Sequence, residues 1–289
     1  MGNGEWGIGI CGWVTAGILI CGSAAAAVEP SKSVPLSTKL DAKFFDAAEW
    51  NDGQAEFALY DAERVIDAAT VHHGALIVTA KETFSRETFA RARFPYGQRP
   101  VISVVRQSIR ASGGDGANPH FFASDVICNA DALTKLLRLQ STVTDAMGVN
   151  SVDYQLWKEK PILQYSSFRD EIGNGSEYFS AASDAVFEEE LPLLLRTVRF
   201  EDGLLCDFRL YPAQLTGTSK RRDPIAARVT ATAVKDGWSL LIEAQDAREI
   251  TFVFGSTPSH ILSSASYSDG RSLKLKSIER RAAGSVVSE

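Results

Sequence analysis

Of the five Asp-Gly pairs in the chain, four, at Asp52-Gly53, Asp202-Gly203, Asp236-Gly237 and Asp269-Gly270, are followed by alternating apolar and polar residues, while Asp115-Gly116 lies in a glycine-rich polar stretch. Asp-Gly tolerates the positive φ angles that tight turns demand, so each pair marks a turn. After Gly203, the residues Leu204, Cys206, Phe208 and Leu210 fall on one side of an extended chain, with Asp207 and Arg209 on the other. After Gly237, Trp238, Leu240 and Ile242 alternate with Ser239 and Glu243, and after Gly270, Leu273 and Leu275 alternate with Lys274 and Lys276. A period of two with one polar face is the pattern of antiparallel strands that cover a core on one side. The same reading predicts strands at 55–65, 75–81, 100–109, 121–128, 133–143, 152–158, 162–169, 225–234, 250–254 and 261–267. Helix is scarce. The best candidate spans 183–195, with Asp184 as cap and Glu188-Glu189-Glu190 behind it, and Pro192 limits it to short pieces. No βαβ alternation is present. The expected fold is therefore mainly β: one large antiparallel, strongly curved or barrel-like sheet with one or two short helices.

Composition narrows the function classes. At 289 residues, 45% hydrophobic and 23% charged, the chain has the makings of a sizeable core, which excludes disorder, collagen and coiled coil. Thirty Lys+Arg against 36 Asp+Glu give a net charge of −6, so nothing draws the protein as a whole to a phosphate backbone, and nucleic acid is not an expected partner. Four Cys and four His are too few for a disulfide scaffold or a zinc site. No metal or cofactor is expected.

The N-terminal segment bears on the compartment. Ile8 to Val28 carries no charge and ends in Gly22-Ser23-Ala24-Ala25-Ala26-Ala27, a small-residue run suited to signal peptidase. Residues 1–27 therefore read as a secretory signal, and the protein as exported to the periplasm or cell envelope. Met1 to Trp6 carries Glu5 and no Lys or Arg, so a retained N-terminal anchor is the alternative. The Gly2-x-Gly4-x-x-Gly7 string matches a dinucleotide fingerprint, but no strand leads into it. Residues 28–43, polar and with two prolines, read as a linker, 44–281 as a single β domain and 282–289 as a tail. Beyond the signal the cysteines are Cys128 and Cys206; an oxidising compartment permits a bridge, while the face shared by Cys206, Phe208 and Leu210 equally suits a buried thiol.

Chemistry-bearing residues are thinly spread. His72-His73 are adjacent, so on a strand they point apart and do not share a metal. His120 and His260 are isolated, with neither a nucleophile elbow nor a His-Glu-x-x-His motif. No catalytic residue is assigned. Paired carboxylates, Glu49 with Asp52 and Asp170 with Glu171, carry the alternative of an envelope hydrolase. Lys220-Arg221-Arg222 is a compact basic loop suited to lipid headgroups; it and the N-terminal segment are the two expected points of membrane contact. The aromatic residues count more as a group. Trp50, Tyr60, Phe121, Trp157 and Trp238 are the candidates to line the concave face of so large a sheet and bind a lipid or other hydrophobic ligand there.

Trp50-Asn51-Asp52-Gly53-Gln54-Ala55-Glu56 with Tyr60, then Ala75 to Phe84, Pro95-Tyr96-Gly97 and Phe121, resembles the N-terminal half of an uncharacterised family of bacterial envelope proteins and lipoproteins. Some of its members carry the label septum formation inhibitor. Glu188-Glu189-x-Leu191 leading to Leu195-Arg196, and Ser268-Asp269-Gly270-Arg271, are similar to its C-terminal half. Members tend to show Gln-Glu-Trp-Cys-Gly where this chain has Thr144-Asp145-Ala146-Met147-Gly148, so any site built on that Trp-Cys pair is absent here. The C-terminal layout also resembles a second envelope family of unknown function, similar in β architecture to periplasmic lipoprotein carriers. That resemblance implies a curved sheet with an open concave face and no catalytic residues. The expectation is an exported, non-catalytic binding or carrier protein for a hydrophobic or polymeric ligand. The alternatives are a carboxylate-dependent hydrolase and a structural protein that binds an envelope partner.

Overall fold

The computed structural model describes residues 32–66, 69–92, 94–113, 120–145, 148–168, 173–182, 184–213, 223–256 and 260–282. The expected signal or anchor, Asp170, Glu171 and the Lys220–Arg222 loop lie outside the described residues.

The alternation seen in the sequence becomes sheet. After a short β1 (Val34–Pro35) come β2 (Gln54–Ile66), β3 (Ala69–Ser85), β4 (Val101–Gly113), β5 (His120–Asn129), β6 (Ala132–Asp145), β7 (Gly148–Gln155), β8 (Ile162–Ser167) and β9 (Asn174–Tyr178). Then β10 (Ala185–Phe187) leads into a 3₁₀ turn, Glu188–Glu190, and one helix, α1 (Leu191–Leu195). The chain ends in β11 (Leu205–Tyr211), β12 (Ile225–Val234), β13 (Gly237–Ala244), β14 (Glu249–Gly255), β15 (Leu262–Tyr267) and β16 (Ser272–Ala282).

All these strands belong to one sheet, ordered β1-β11-β12-β13-β14-β15-β16-β2-β3-β4-β5-β6-β7-β8-β9, with β10 also on β11. The two halves of the sequence join where β16 runs antiparallel to β2, from Ser272 opposite Glu63 to Ala282 opposite Gln54. The sheet is mainly antiparallel and strongly curved. It is mixed rather than purely antiparallel, because β1 and β10 both pair with β11 in parallel. It does not close, since β9 and the β11 side do not pair with each other. Residues 34–40, read from sequence as part of the linker, are built into the fold: Val34 pairs with Cys206, and Leu36 is buried.

Of the four Asp-Gly pairs that lead into alternating residues, two are hairpin turns, Asp236-Gly237 between β12 and β13 and Asp269-Gly270 between β15 and β16. The other two lead single strands into the sheet, and their aspartates cap backbone: Asp52 accepts from Gln54 N–H at 2.8 Å and Asp202 from Ala233 N–H at 2.9 Å. Turn chemistry was legible in the sequence; what each turn joins was not.

The segment between β10 and β11 fills the concave face. Leu191, Leu193, Leu194 and Leu195 are all at most 1% exposed. Leu191 and Leu195 pack on one core cluster, with Tyr60, Leu210, Leu240, Ile242 and Phe252. Leu193 and Leu194 pack on another, with Val126, Leu139, Tyr154 and Leu163. The plug thus joins the inner faces of the two halves of the sheet, as a hydrophobic sheet face requires a covering layer. Pro192 sits in the first turn of α1, where its missing N–H costs nothing. Asp184, the expected cap, instead binds Arg209, and the Glu190 carboxyl accepts from Phe187 N–H at 3.2 Å. A third, smaller cluster lies on the outer face, where Phe89 and Trp157 cover Val104, Ile127 and Leu137.

A candidate ligand-binding mouth

One end of the barrel-like sheet is closed by rings. Trp50 meets Phe44 at 6.5 Å, Phe44 meets His260 at 6.0 Å, His260 meets Phe200 at 4.8 Å and Phe200 stacks on Trp238 at 5.4 Å. Arg196, at the end of the plug, locks this belt. Its guanidinium forms a two-pronged ion pair with Glu56, at 2.7 and 3.0 Å, and lies 5.3 Å from the Trp50 ring centre. His260 Nδ1 donates to the Arg196 carbonyl at 2.9 Å, and Arg280 approaches Trp50 to 5.3 Å.

The five aromatics predicted to line a concave face are therefore dispersed. Trp50 and Trp238 belong to the belt that closes this end. Tyr60 is buried in the inner wall and donates its hydroxyl to the Leu262 carbonyl at 2.9 Å. Trp157 stacks on Phe89 at 4.9 Å on the outer face. Phe121 is exposed on the outer face, in a groove with Phe57, Leu59 and Leu76. The concave face is not open along its length as the resemblance implied, because the plug occupies it. Of the expected carboxylates, Asp52 caps a turn and accepts from Arg280, and Arg280 also donates to the Glu49 carbonyl.

The other end of the plug leaves space. A cavity of about 90 Å³ lies between the inner faces of β2 to β5, the start of the plug, and the β15–β16 hairpin. Its apolar lining is Ala62, Ala75, Ile109, Phe122, Pro192 and Leu273. Its polar lining comes from two sides. On the plug side is Glu188, 2% exposed at the side chain, bound to Arg271 at 2.6 Å, Arg248 at 2.9 Å and the Ala213 N–H at 2.9 Å. Burial works against the Glu188 charge, but Arg271, the Ala213 N–H and Arg248 outweigh it and hold the carboxyl below its usual range. Arg271 lies over the Tyr267 ring at 4.0 Å. Glu189 completes this side.

On the strand side are Arg64, His73 and His120. Strand alternation divides the adjacent histidines as expected: His72 points outward to Glu63 at 3.2 Å, and His73 points inward. Register then brings His120 to His73. Both residues pair with Gly113, from opposite sides, and the two imidazole rings lie 6.3 Å apart, nearly parallel. Gly113 makes this possible: a Cβ there would fall 2.3 Å from the His73 Cβ. Sequence reading left His120 isolated because the link runs through two strand pairings across a gap of nearly fifty residues, and no local spacing encodes that. Among the described residues, no His, Cys, Asp and Glu group has metal-binding geometry, and no helix is long and apolar enough to cross a membrane.

Deeper in the core, Glu190 is fully enclosed, and the Cys128 thiol donates to it at 3.5 Å. Burial raises the Glu190 carboxyl to about 8 and pushes the Cys128 thiol up well beyond its ordinary value. Cys128 and Cys206 are both free and sit in separate clusters.

No protein-family model matches the chain, and no curated protein is significantly similar to it. Two solved structures are similar in fold. One is a β-barrel-like protein of the domain of unknown function DUF1849 from Brucella abortus, 13% identical, with a TM-score of 0.42 over 78% of this chain and 98% of that one. The other is a DUF1089 family protein from Pseudomonas aeruginosa, 12% identical, with a TM-score of 0.35 over 55% of this chain and 82% of that one.

Proposed function

We propose that the chain is a non-catalytic binding protein of the bacterial cell envelope, which holds the apolar end of a hydrophobic ligand in the mouth beside His73 and His120. The carrying observation is the plug: it fills the concave face but stops short of one end, where an apolar-floored cavity of about 90 Å³ remains. A pocket for a whole lipid or drug-sized molecule needs roughly 300 Å³ or more, so the cavity suits the end of a chain. The uncharged segment from Ile8 to Val28 and the resemblance to envelope families support export.

Native mass spectrometry of the protein purified from the envelope fraction of its own host tests this. The expected spectrum shows cleavage near Ala27, or an intact anchored chain, with one releasable small amphiphile bound. A clean apo mass from a cytosolic fraction contradicts the proposal. A second reading rests on the outer groove, where Leu59 and Phe121 are exposed and apolar, as at protein interfaces. In that reading an envelope protein partner docks there, and crosslinking from Phe121 replaced by a photoreactive residue would capture it.

A further inference from the structure

We infer that the rim of this mouth is an anion site, in which Arg64, His73 and His120 hold the carboxylate of a short amphipathic acid while its apolar end occupies the cavity behind them. The inference rests on the binding role proposed above and gives it a ligand class. Three observations converge on it. First, Arg64 donates to His120 Nε2. A guanidinium can only donate, so in this pair the His120 nitrogen faces Arg64 as the acceptor. Second, His73 Nδ1 is buried and has no hydrogen-bond partner, an arrangement that a bound ligand or water would complete. Third, the apolar lining of the cavity begins directly beside these groups, so one small molecule can satisfy both at once.

Charges on every side of His73 set its response to pH. Arg64 faces it from β2, His120 from β5, Glu188 and Glu189 from the plug, and Arg271 with Tyr267 from the β15–β16 hairpin; His72, next in sequence, points away toward Glu63. Glu188 is already neutralised by Arg271 and Arg248. Burial and the neighbouring Arg64 hold His73 below the ordinary imidazole range, so it is neutral at pH 7 unless an anion binds beside it. Protonating either histidine beside Arg64 creates adjacent cations that an anion relieves. Anion binding and proton uptake therefore reinforce each other, and affinity rises as pH falls toward 6.

The test compares hexanoate, 1-hexanol and hexylammonium by NMR titration of the full folded chain at pH 6 and pH 8. At pH 6 hexanoate should bind about tenfold more tightly than 1-hexanol, and at pH 8 the advantage should shrink to about threefold or less. His73→Gln and His120→Gln should abolish that pH dependence, with an unchanged urea midpoint showing that the fold is intact. Equal binding of hexanoate and 1-hexanol at both pH values would overturn the anion site while leaving the pocket standing. Preference for hexylammonium would overturn it in favour of the Glu189 side. If none of the three probes shifts the rim resonances, the binding role falls with it.

Discussion

Two buried charged groups behave oppositely because their surroundings differ. Glu56 and Arg196, both under 8% exposed at the side chain, satisfy each other with two short bonds. Removing one partner of such a pair strands the other, at a cost of about 3–5 kcal/mol, whereas replacing both with apolar residues costs less. Glu56→Gln should thus lower the urea midpoint markedly, and the double variant Glu56→Leu/Arg196→Met should recover much of the loss; a larger loss in the double variant would contradict this. Glu190 has no cation beside it, and its carboxyl titrates near 8 in the folded state against an ordinary value of 4.5. The folded state therefore retains a proton that the unfolded state releases between those values, and stability falls as pH rises from 4.5 to 8. Glu190→Gln should remove that loss, leaving the variant more stable than the parent at pH 8 by on the order of 4 kcal/mol. Urea denaturation across that pH range measures it, and parallel pH profiles would refute it.

The plug and the rim are each set by an element rather than a residue. Leu194 is 1% exposed and touches the inner face of the sheet, so Leu194→Ala should cost about 2–5 kcal/mol by opening a cavity; denaturant unfolding measures it. Gly113→Ala would place a methyl against His73, so it should displace that ring and weaken hexanoate binding, which the same NMR titration reads, while His72 on the outer face stays put. The long strands were legible because each half-buried strand repeats apolar and polar residues with period two, as in Leu204 to Leu210. β9, whose residues Asn174 to Tyr178 are mostly exposed, and β10, only three residues long, carry no such period, and neither was foreseen. The expected helix shrank because β10 took its first residues, leaving Glu188 to Leu195 for the plug.

At the scale of the molecule, the sequence predicted a curved sheet and the structure has one, but how its concave face is filled could not be read from aromatic positions. Trp50, Tyr60, Phe121, Trp157 and Trp238 are alike as residues; topology sends two to a closing belt, one to the inner wall and two outside. The leucines that fill the interior lie in a run, Leu191 to Leu195, that carries no strand alternation and looks like any short buried helix. The mouth depends on register across β2 to β5, a long-range property invisible to local patterns. The central claim is that the start of the plug leaves an apolar ligand space beside His73 and His120. Xenon, which enters dry apolar cavities, tests it directly in pressurised crystals. The account predicts xenon density bounded by Ala62, Ile109, Phe122 and Pro192, and none along the plug. Density running beside Leu193 and Leu194, or an empty mouth, would contradict it.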